Sequence, residues 1–258
     1  MTTISLTVVT QNEAHNIAAC LESAPFVDQV VVLDSGSTDD TVSIACASGA
    51  LVLTSHDWQG FGVQKNRAVA HATGDWVLSL DADERLTPAL AKEICEAISN
   101  AEKSLQPMVF AIPRRTNFCG TWIKHCGWTP DYVTRVFRRG CASFSSDAVH
   151  ERMVFDDKLT LVVRLKNPIL HYSYPSPAVF WRKLQKYSLE WAIQKHAEGR
   201  TATIWRATLS AVAAFLKSYV FRMGFLDGSM GFAVCALQAQ FAFGKYFELY
   251  CLGRNNKG

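Results

Sequence analysis

The residues able to do chemistry sit where apolar runs stop abruptly at acids. In the stretch from Gly74 to Arg85, an apolar run from Trp76 to Leu80 ends at Asp81-Ala82-Asp83. A run of that kind reads as a buried strand. Ligands of parallel α/β sheets bind beyond the carboxyl ends of the strands, so Asp81 and Asp83 belong at the mouth of a site. Two carboxylates one residue apart can converge on a hard divalent cation, directly or through water. Magnesium in particular is held by one or two carboxylates plus substrate phosphates. The alternative is a solvated acidic turn ahead of the helix that Thr87-Pro88 opens.

The same pattern recurs upstream. Ile4 to Val9 is a strand that ends in Thr10-Gln11-Asn12-Glu13, and Ile17 and Leu21 then repeat at helical spacing. Asn12 is expected to cap that helix. Gln29 to Leu33 forms a second strand, ending in the loop Asp34 to Asp40, with a helix from Thr38. Leu51 to Thr54 is a third strand, and a helix beyond Gly62 carries Gln64 to Arg67 in its first turn. A lysine near a helix N-terminus opposes the macrodipole, so Lys65 is expected to meet an anion, most simply a phosphate. The competing account is a solvated surface lysine.

After a helix from Thr87 to Asn100 and a strand from Val109 to Ile112, the stretch from Arg114 to Phe144 is rich in aromatics, cysteines and arginines. Trp122, Trp128 and Tyr132 either stack on a sugar ring or pack a core, packing being the expectation for each. Arg135, Arg138 and Arg139 suit an anionic partner or line a charged strand face. Asp147 and Glu151 bracket Ala148, Val149 and His150, and a strand from Leu159 to Leu165 precedes His171. From Ser176 onward the pattern is helical, with a break between Gly224 and Gly231. We therefore divide the chain into residues 1–174, an α/β domain, and 175–258, a basic amphipathic helical appendage. For that appendage, peripheral membrane contact, a homo-oligomer contact and packing on the sheet are equally compatible.

The totals narrow the classes. At 258 residues and 49% hydrophobic content the chain can bury a sizeable core, which excludes collagenous, disordered and small disulfide-scaffold proteins. A net charge of +3 gives no argument for nucleic acid. The eight cysteines show no Cys-x-x-Cys or paired zinc spacing and are expected to be mostly buried free thiols. With no leader pattern before the first strand, a reducing cytosol is the expected location. Lys217 and Arg222 interrupt the longest apolar stretch, 207–225, which disfavours a spanning helix and suits an interfacial one.

Thr10 to Glu13, Asp34 to Asp40, Lys65 to Arg67 and Asp81 to Asp83, in that order and each after a strand, resemble the family 2 inverting glycosyltransferases of the GT-A fold. That resemblance implies a Rossmann-like mixed sheet flanked by helices, a UDP-sugar donor and Mg2+ or Mn2+. Val149 to Glu151, Leu170 to Tyr174 and Gly224 to Gly228 further resemble the bacterial lipopolysaccharide-core β-1,4-glucosyltransferases, which glucosylate an inner-core heptose. By position, the resemblance implies that Thr10, Asn12 and Glu13 line the nucleoside pocket and that Asp34 accepts from uracil. It implies that Lys65 approaches the diphosphate, that Asp81 and Ala82 lie at the ribose or a metal-bound water, and that Asp83 ligates the metal, with Asp81 and His171 completing its shell. Glu151 is the candidate general base and Asp147 its rival. The implied location is cytoplasmic, on the inner face of the bacterial inner membrane. Alternatives are a polyprenyl-phosphate or protein acceptor, or a nucleotide-sugar-binding module without turnover.

Overall fold

The computed structural model describes residues 2–104, 106–145, 152–156 and 158–255. The elements in order are β1 (Ile4–Thr10), α1 (Ile17–Glu22), β2 (Gln29–Asp34), α2 (Thr41–Ala47), β3 (Leu51–Thr54), α3 (Phe61–Ala70), β4 (Trp76–Asp81), β5 (Glu84–Arg85) and α4 (Pro88–Ala101). They continue as β6 (Met108–Phe118), β7 (Thr121–Trp122), β8 (Asp131–Arg138), β9 (Ser143–Phe144), β10 (Met153–Val154), β11 (Leu161–Arg164) and β12 (Ile169–Tyr174). Three helices close the chain: α5 (Pro177–Ala197), α6 (Ile204–Leu216) and α7 (Gly228–Asn255).

β3, β2, β1 and β4 lie side by side and parallel, and in chain order each strand from β1 to β4 is joined to the next by a helix. Sheets built this way are covered on both faces, which is why β1 and β4 are buried almost throughout. Beyond β4 the sheet turns antiparallel through β8 and β6, continues to β12 and β5, and takes β11 alongside β6 in parallel. The fold is thus a mixed sheet flanked by helices, with a helical segment at the C-terminal end, as expected. Leu90, Ile94 and Ile98 on α4 recur every four residues and bury one face among Leu6, Trp76, Leu78 and Ile112. Thr87 caps α4 by accepting from the Leu90 amide at 3.1 Å, and Pro88 occupies the first turn.

Past the end of α4, Glu102 Oε1 accepts from the Trp76 indole at 2.7 Å and from Arg138 at 2.5 Å, and these bonds hold its carboxyl below the ordinary range. Because the folded-state pKa is depressed, this group adds stability above its unfolded value near 4.5, lost as pH falls through the folded value. Glu102→Gln should therefore lower the urea midpoint at pH 7 and converge on wild type in acid. An equal gap at both pH values would contradict the linkage.

The chain divides into two compact units: residues 1–114 with 131–171, and residues 115–130 with 172–258. The sequence set 115–130 within residues 1–174; in this division they group with the C-terminal helices. Phe118, Ile123 and Cys126 from this segment share a core with Phe180, Val234 and Cys235, and Trp128 stacks against Phe118 and Tyr174. Trp122 meets Tyr172 edge-on, so both tryptophans pack rather than stand open. In the first unit Tyr132 is partly exposed, under the Arg164 guanidinium. All eight cysteines are free, but only Cys20, Cys126 and Cys235 are buried, so the expectation of mostly buried thiols fails.

Candidate active site

Strand register assembles the site. Thr10 pairs with Asp34 across β1 and β2, Asp34 with Thr54 across β2 and β3, and Val9 with Asp81 across β1 and β4. Thr10, Asp34 and Asp81 therefore stand side by side at the carboxyl edge, the edge where such sheets bind ligands.

The loops after β1 and β2 are laced together. The Asn12 amide donates to Ser37 Oγ at 2.8 Å, Asn12 Oδ1 accepts from the Thr38 amide at 2.8 Å, and the Glu13 amide donates to Thr41 Oγ1 at 2.8 Å. The Ala14 amide donates to Asp39 at 3.2 Å, and Thr41 Oγ1, also bonded to that carboxylate, holds its carboxyl below the usual range. Asn12 adopts positive φ (56°), a conformation asparagine tolerates better than most residues. It does not cap α1 as expected: Asn16 occupies that position, and Asn12 bridges to the neighbouring loop instead. Asp34 is buried and accepts from the Gly36 and Ser37 amides and from Ser37 Oγ, so its carboxylate organises its own turn. The α2 helix starts at Thr41, later than the expected Thr38, because this loop spends Thr38 on Asn12. Thr10 Oγ1 is buried and finds no hydrogen-bond partner among the described residues.

On α3, which begins at Phe61, the side chains of residues 64–67 reach out to neighbouring segments. Gln64 donates to Ser35 Oγ at 3.4 Å and to the Asp57 carbonyl at 3.3 Å. Arg67 donates to Ser55 Oγ at 2.9 Å and to Asp57. Asn66 clamps Phe144 by both its amide and its carbonyl, each at 2.8 Å. Lys65 is only 2% exposed, and its ammonium meets Asp81 Oδ1 at 2.8 Å. The anion that Lys65 was expected to need is thus a carboxylate of the chain itself.

Asp81 Oδ2 accepts from Arg135, which also donates to Glu84 Oε1 at 2.6 Å. Burial raises the Asp81 pKa, but Arg135 and Lys65 more than offset this and hold the carboxyl well below its ordinary range. Burial likewise works against the Arg135 charge, and Asp81 and Glu84 restore it. Glu84 is fully buried; its other oxygen accepts from the Asp81 amide at 3.0 Å, and Arg114 stands 3.8 Å from Oε1 while binding Asp131 at 2.9 Å. The result is an alternating chain of charge from Lys65 through Asp81, Arg135, Glu84 and Arg114 to Asp131. Arg135, expected to face an anionic partner, is consumed inside this chain; Arg138 binds Glu102 and Arg139 binds the Gly74 carbonyl.

Arg135 arrives there by a β-bulge. Phe110 pairs with Val136 but Ala111 pairs with Thr134, leaving Arg135 outside the β6–β8 ladder. Such a bulge re-aims a side chain, often beside an active site. Sequence reasoning did not single out Glu84, and it set Arg135 against an anionic partner or on a charged strand face instead of inside this chain of charge. The available signal was an arginine on the strand face that carries Val133 and Phe137.

Asp83 meets His171 with Nε2 and Oδ1 3.3 Å apart. The two are 88 positions apart in sequence, and the β5–β12 pairing, which sets His171 opposite Glu84, brings them together. The two oxygens of Asp81 meet Lys65 and Arg135. Ala82 is buried in the core, so its methyl group is structural. Among the described residues no three His, Cys, Asp or Glu side chains cluster to hold a cation alone. One carboxylate and one imidazole nevertheless fit a divalent cation that takes its remaining oxygens from a substrate diphosphate. Asp147, His150 and Glu151 lie outside the described residues. The chain on either side of them is tied down, since β9 pairs with β10, the Ser145 amide donates to the Arg152 carbonyl at 2.8 Å, and Asn66, next to Lys65, holds Phe144.

The model of glycosyl transferase family 2 matches residues 5–139. An uncharacterized glycosyltransferase of Rickettsia prowazekii (strain Madrid E) is 32% identical over 256 residues, spanning 96% of this chain and 86% of that protein. The lipopolysaccharide core biosynthesis glycosyltransferase LpsC of Rhizobium meliloti (strain 1021) is 26% identical over 261 residues, spanning 96% of this chain and 92% of LpsC. Among solved structures, S. aureus TarS 1-349 in complex with UDP is similar with a TM-score of 0.49 and 15% identity, over 98% of this chain and 92% of that one. The matched span runs from the first strand past the whole charge chain to Arg139, and on that ground the chain belongs to glycosyl transferase family 2.

Proposed function

We propose that this chain transfers a hexosyl group, glucose being the leading candidate, from a UDP-sugar to an inner-core heptose of lipopolysaccharide, with inversion at the anomeric carbon. The observation that carries the donor half is the carboxyl-edge array, in which register sets Thr10, Asp34 and Asp81 in a row and a strand pairing sets Asp83 beside His171. Support for the acceptor half is the likeness to LpsC along nearly its whole length.

In this reading the laced loops from Thr10 to Glu13 and from Asp34 to Thr41 receive the nucleoside. Lys65 and Arg135 keep Asp81 ionised and fixed at the strand end, so that it orients the ribose instead of drifting toward the cation. Asp83 and His171 would hold the divalent cation. When bound, that cation supplies Lewis-acid neutralisation of the charge that grows on the departing diphosphate. Glu151, or its rival Asp147, removes the proton from the acceptor hydroxyl as the hydroxyl attacks the anomeric carbon from the face opposite the diphosphate.

Asn66 holds Phe144, which precedes the candidate bases in sequence. Asn66→Ala should therefore lower kcat by about 10–100-fold, the scale of a small misplacement, with UDP affinity unchanged. Equal losses in both would mark it as a general structural residue. The reading as a whole is tested by a panel of UDP-sugars against heptose-terminated lipopolysaccharide, with UDP release measured and the product linkage read by NMR. Binding without UDP release would instead favour a nucleotide-sugar-binding module.

A further inference from the structure

The second unit carries a large apolar surface that nothing among the described residues covers. On α6 and the π-helical turn that extends it, Lys217–Phe221, Trp205, Leu209, Val212, Leu216 and Val220 recur at spacings of three and four and are all exposed, Trp205 by 76% and Leu209 by 65%. The stripe runs into a corner where Phe221 (79%), Met223, Phe225 and Leu226 (57%) also face outward. Contiguous apolar surface on this scale marks an interaction site.

The corner is rigid. The helices on either side, 204–221 and 224–254, bend by 72°. Met223 adopts positive φ (53°), and a Cβ on Gly231 would lie 1.9 Å from the Gly224 carbonyl oxygen, so the backbones close to contact there. Asp227 locks the turn by accepting from the Lys124 and His125 amides at 3.1 and 2.7 Å and by meeting His125 Nδ1 at 2.8 Å.

Charge decides the occupant. Between Ile204 and Phe247 the chain has one carboxylate, Asp227, which these bonds consume, while Arg206, Lys217 and Arg222 are exposed around the apolar stripe. A second copy docked face to face would set these cations against themselves with no local acid to pair them. An anionic bilayer surface instead offers acyl chains to the stripe and headgroups to the cations, whose long stems can snorkel. Among the described residues no single helix is long and apolar enough to cross a membrane; the bent pair 204–221 and 224–254 reaches that length and composition only when both are taken together. We propose that the α6 stripe and the corner at Phe221 to Leu226 form a monotopic anchor that sinks into the headgroup region of a bilayer containing anionic lipid. The inference stands independently of the sugar acceptor.

The test is co-sedimentation of the full chain with phosphatidylcholine vesicles, with and without phosphatidylglycerol, alongside sedimentation velocity without lipid. Wild type should pellet with the anionic vesicles. The variant Trp205→Glu/Phe221→Glu/Leu226→Glu should bind at least about 100-fold more weakly, since each buried apolar side chain contributes strongly, while keeping its circular dichroism and UDP affinity. Lys217→Gln and Arg222→Gln should each weaken anionic binding on the order of fivefold and leave binding to neutral vesicles unchanged. Wild type remaining in the supernatant, a triple variant that pellets like wild type, or a wild-type dimer that the triple variant dissolves would each overturn the anchor.

Discussion

Arg135→Met should lower unfolding stability by about 3–5 kcal/mol, the cost of leaving a buried charge without its partner. For a chain of this size that corresponds to a fall in Tm of roughly 6–20 °C. The size of the effect comes from Glu84, which is fully buried and which the arginine neutralises together with Asp81. Removing the orphaned acid as well, in Arg135→Met/Glu84→Gln, should recover part of the loss, because a neutral amide costs less to bury than a lone carboxylate. Calorimetric melting checks both. A fall below about 1 kcal/mol in the single variant would show that water or rearrangement satisfies Glu84 and that the charge chain is not what fixes Asp81.

The largest expected effect on turnover belongs to the base. Glu151→Gln should lower kcat by about 10²–10⁴-fold with donor affinity kept, the range for loss of a general base. The glutamine keeps size and polarity, so a large loss isolates proton transfer. The same substitution at Asp147 discriminates between the rivals: a loss there with wild-type rates in Glu151→Gln would reassign the role. Support for seeking the base here is its sequence neighbour Phe144, which Asn66 holds one residue along α3 from Lys65.

Much of the donor half was legible because parallel strands announce themselves. β3 starts and ends where the pattern said, and β1, β2 and β4 each stop at the residue where apolar side chains give way to Thr10, Asp34 and Asp81. What could not be read were partnerships made across sequence. Lys65 showed that it needed an anion, but that the anion is Asp81 depends on where α3 packs. Arg135 reaches Asp81 only because a bulge displaces it from the β8 ladder, and a bulge leaves no mark in residue types. The segment from Arg115 to Pro130 has the alternation and aromatics of a sheet insertion, yet its apolar side chains find a core with helices more than fifty residues later. Asn12 looked like a helix cap because asparagine favours both roles; its positive φ turned it toward Thr38 instead.

The claim beneath this account is that Asp83 and His171 hold the cation that gathers the donor diphosphate at the sheet edge, while Asp81 is reserved for Lys65 and Arg135. Calorimetric titration of UDP into wild type and Asp83→Ala, each with manganese and with chelator, tests it most directly. The account predicts that manganese tightens UDP binding in wild type and has no effect in Asp83→Ala; the same tightening in both proteins would contradict it.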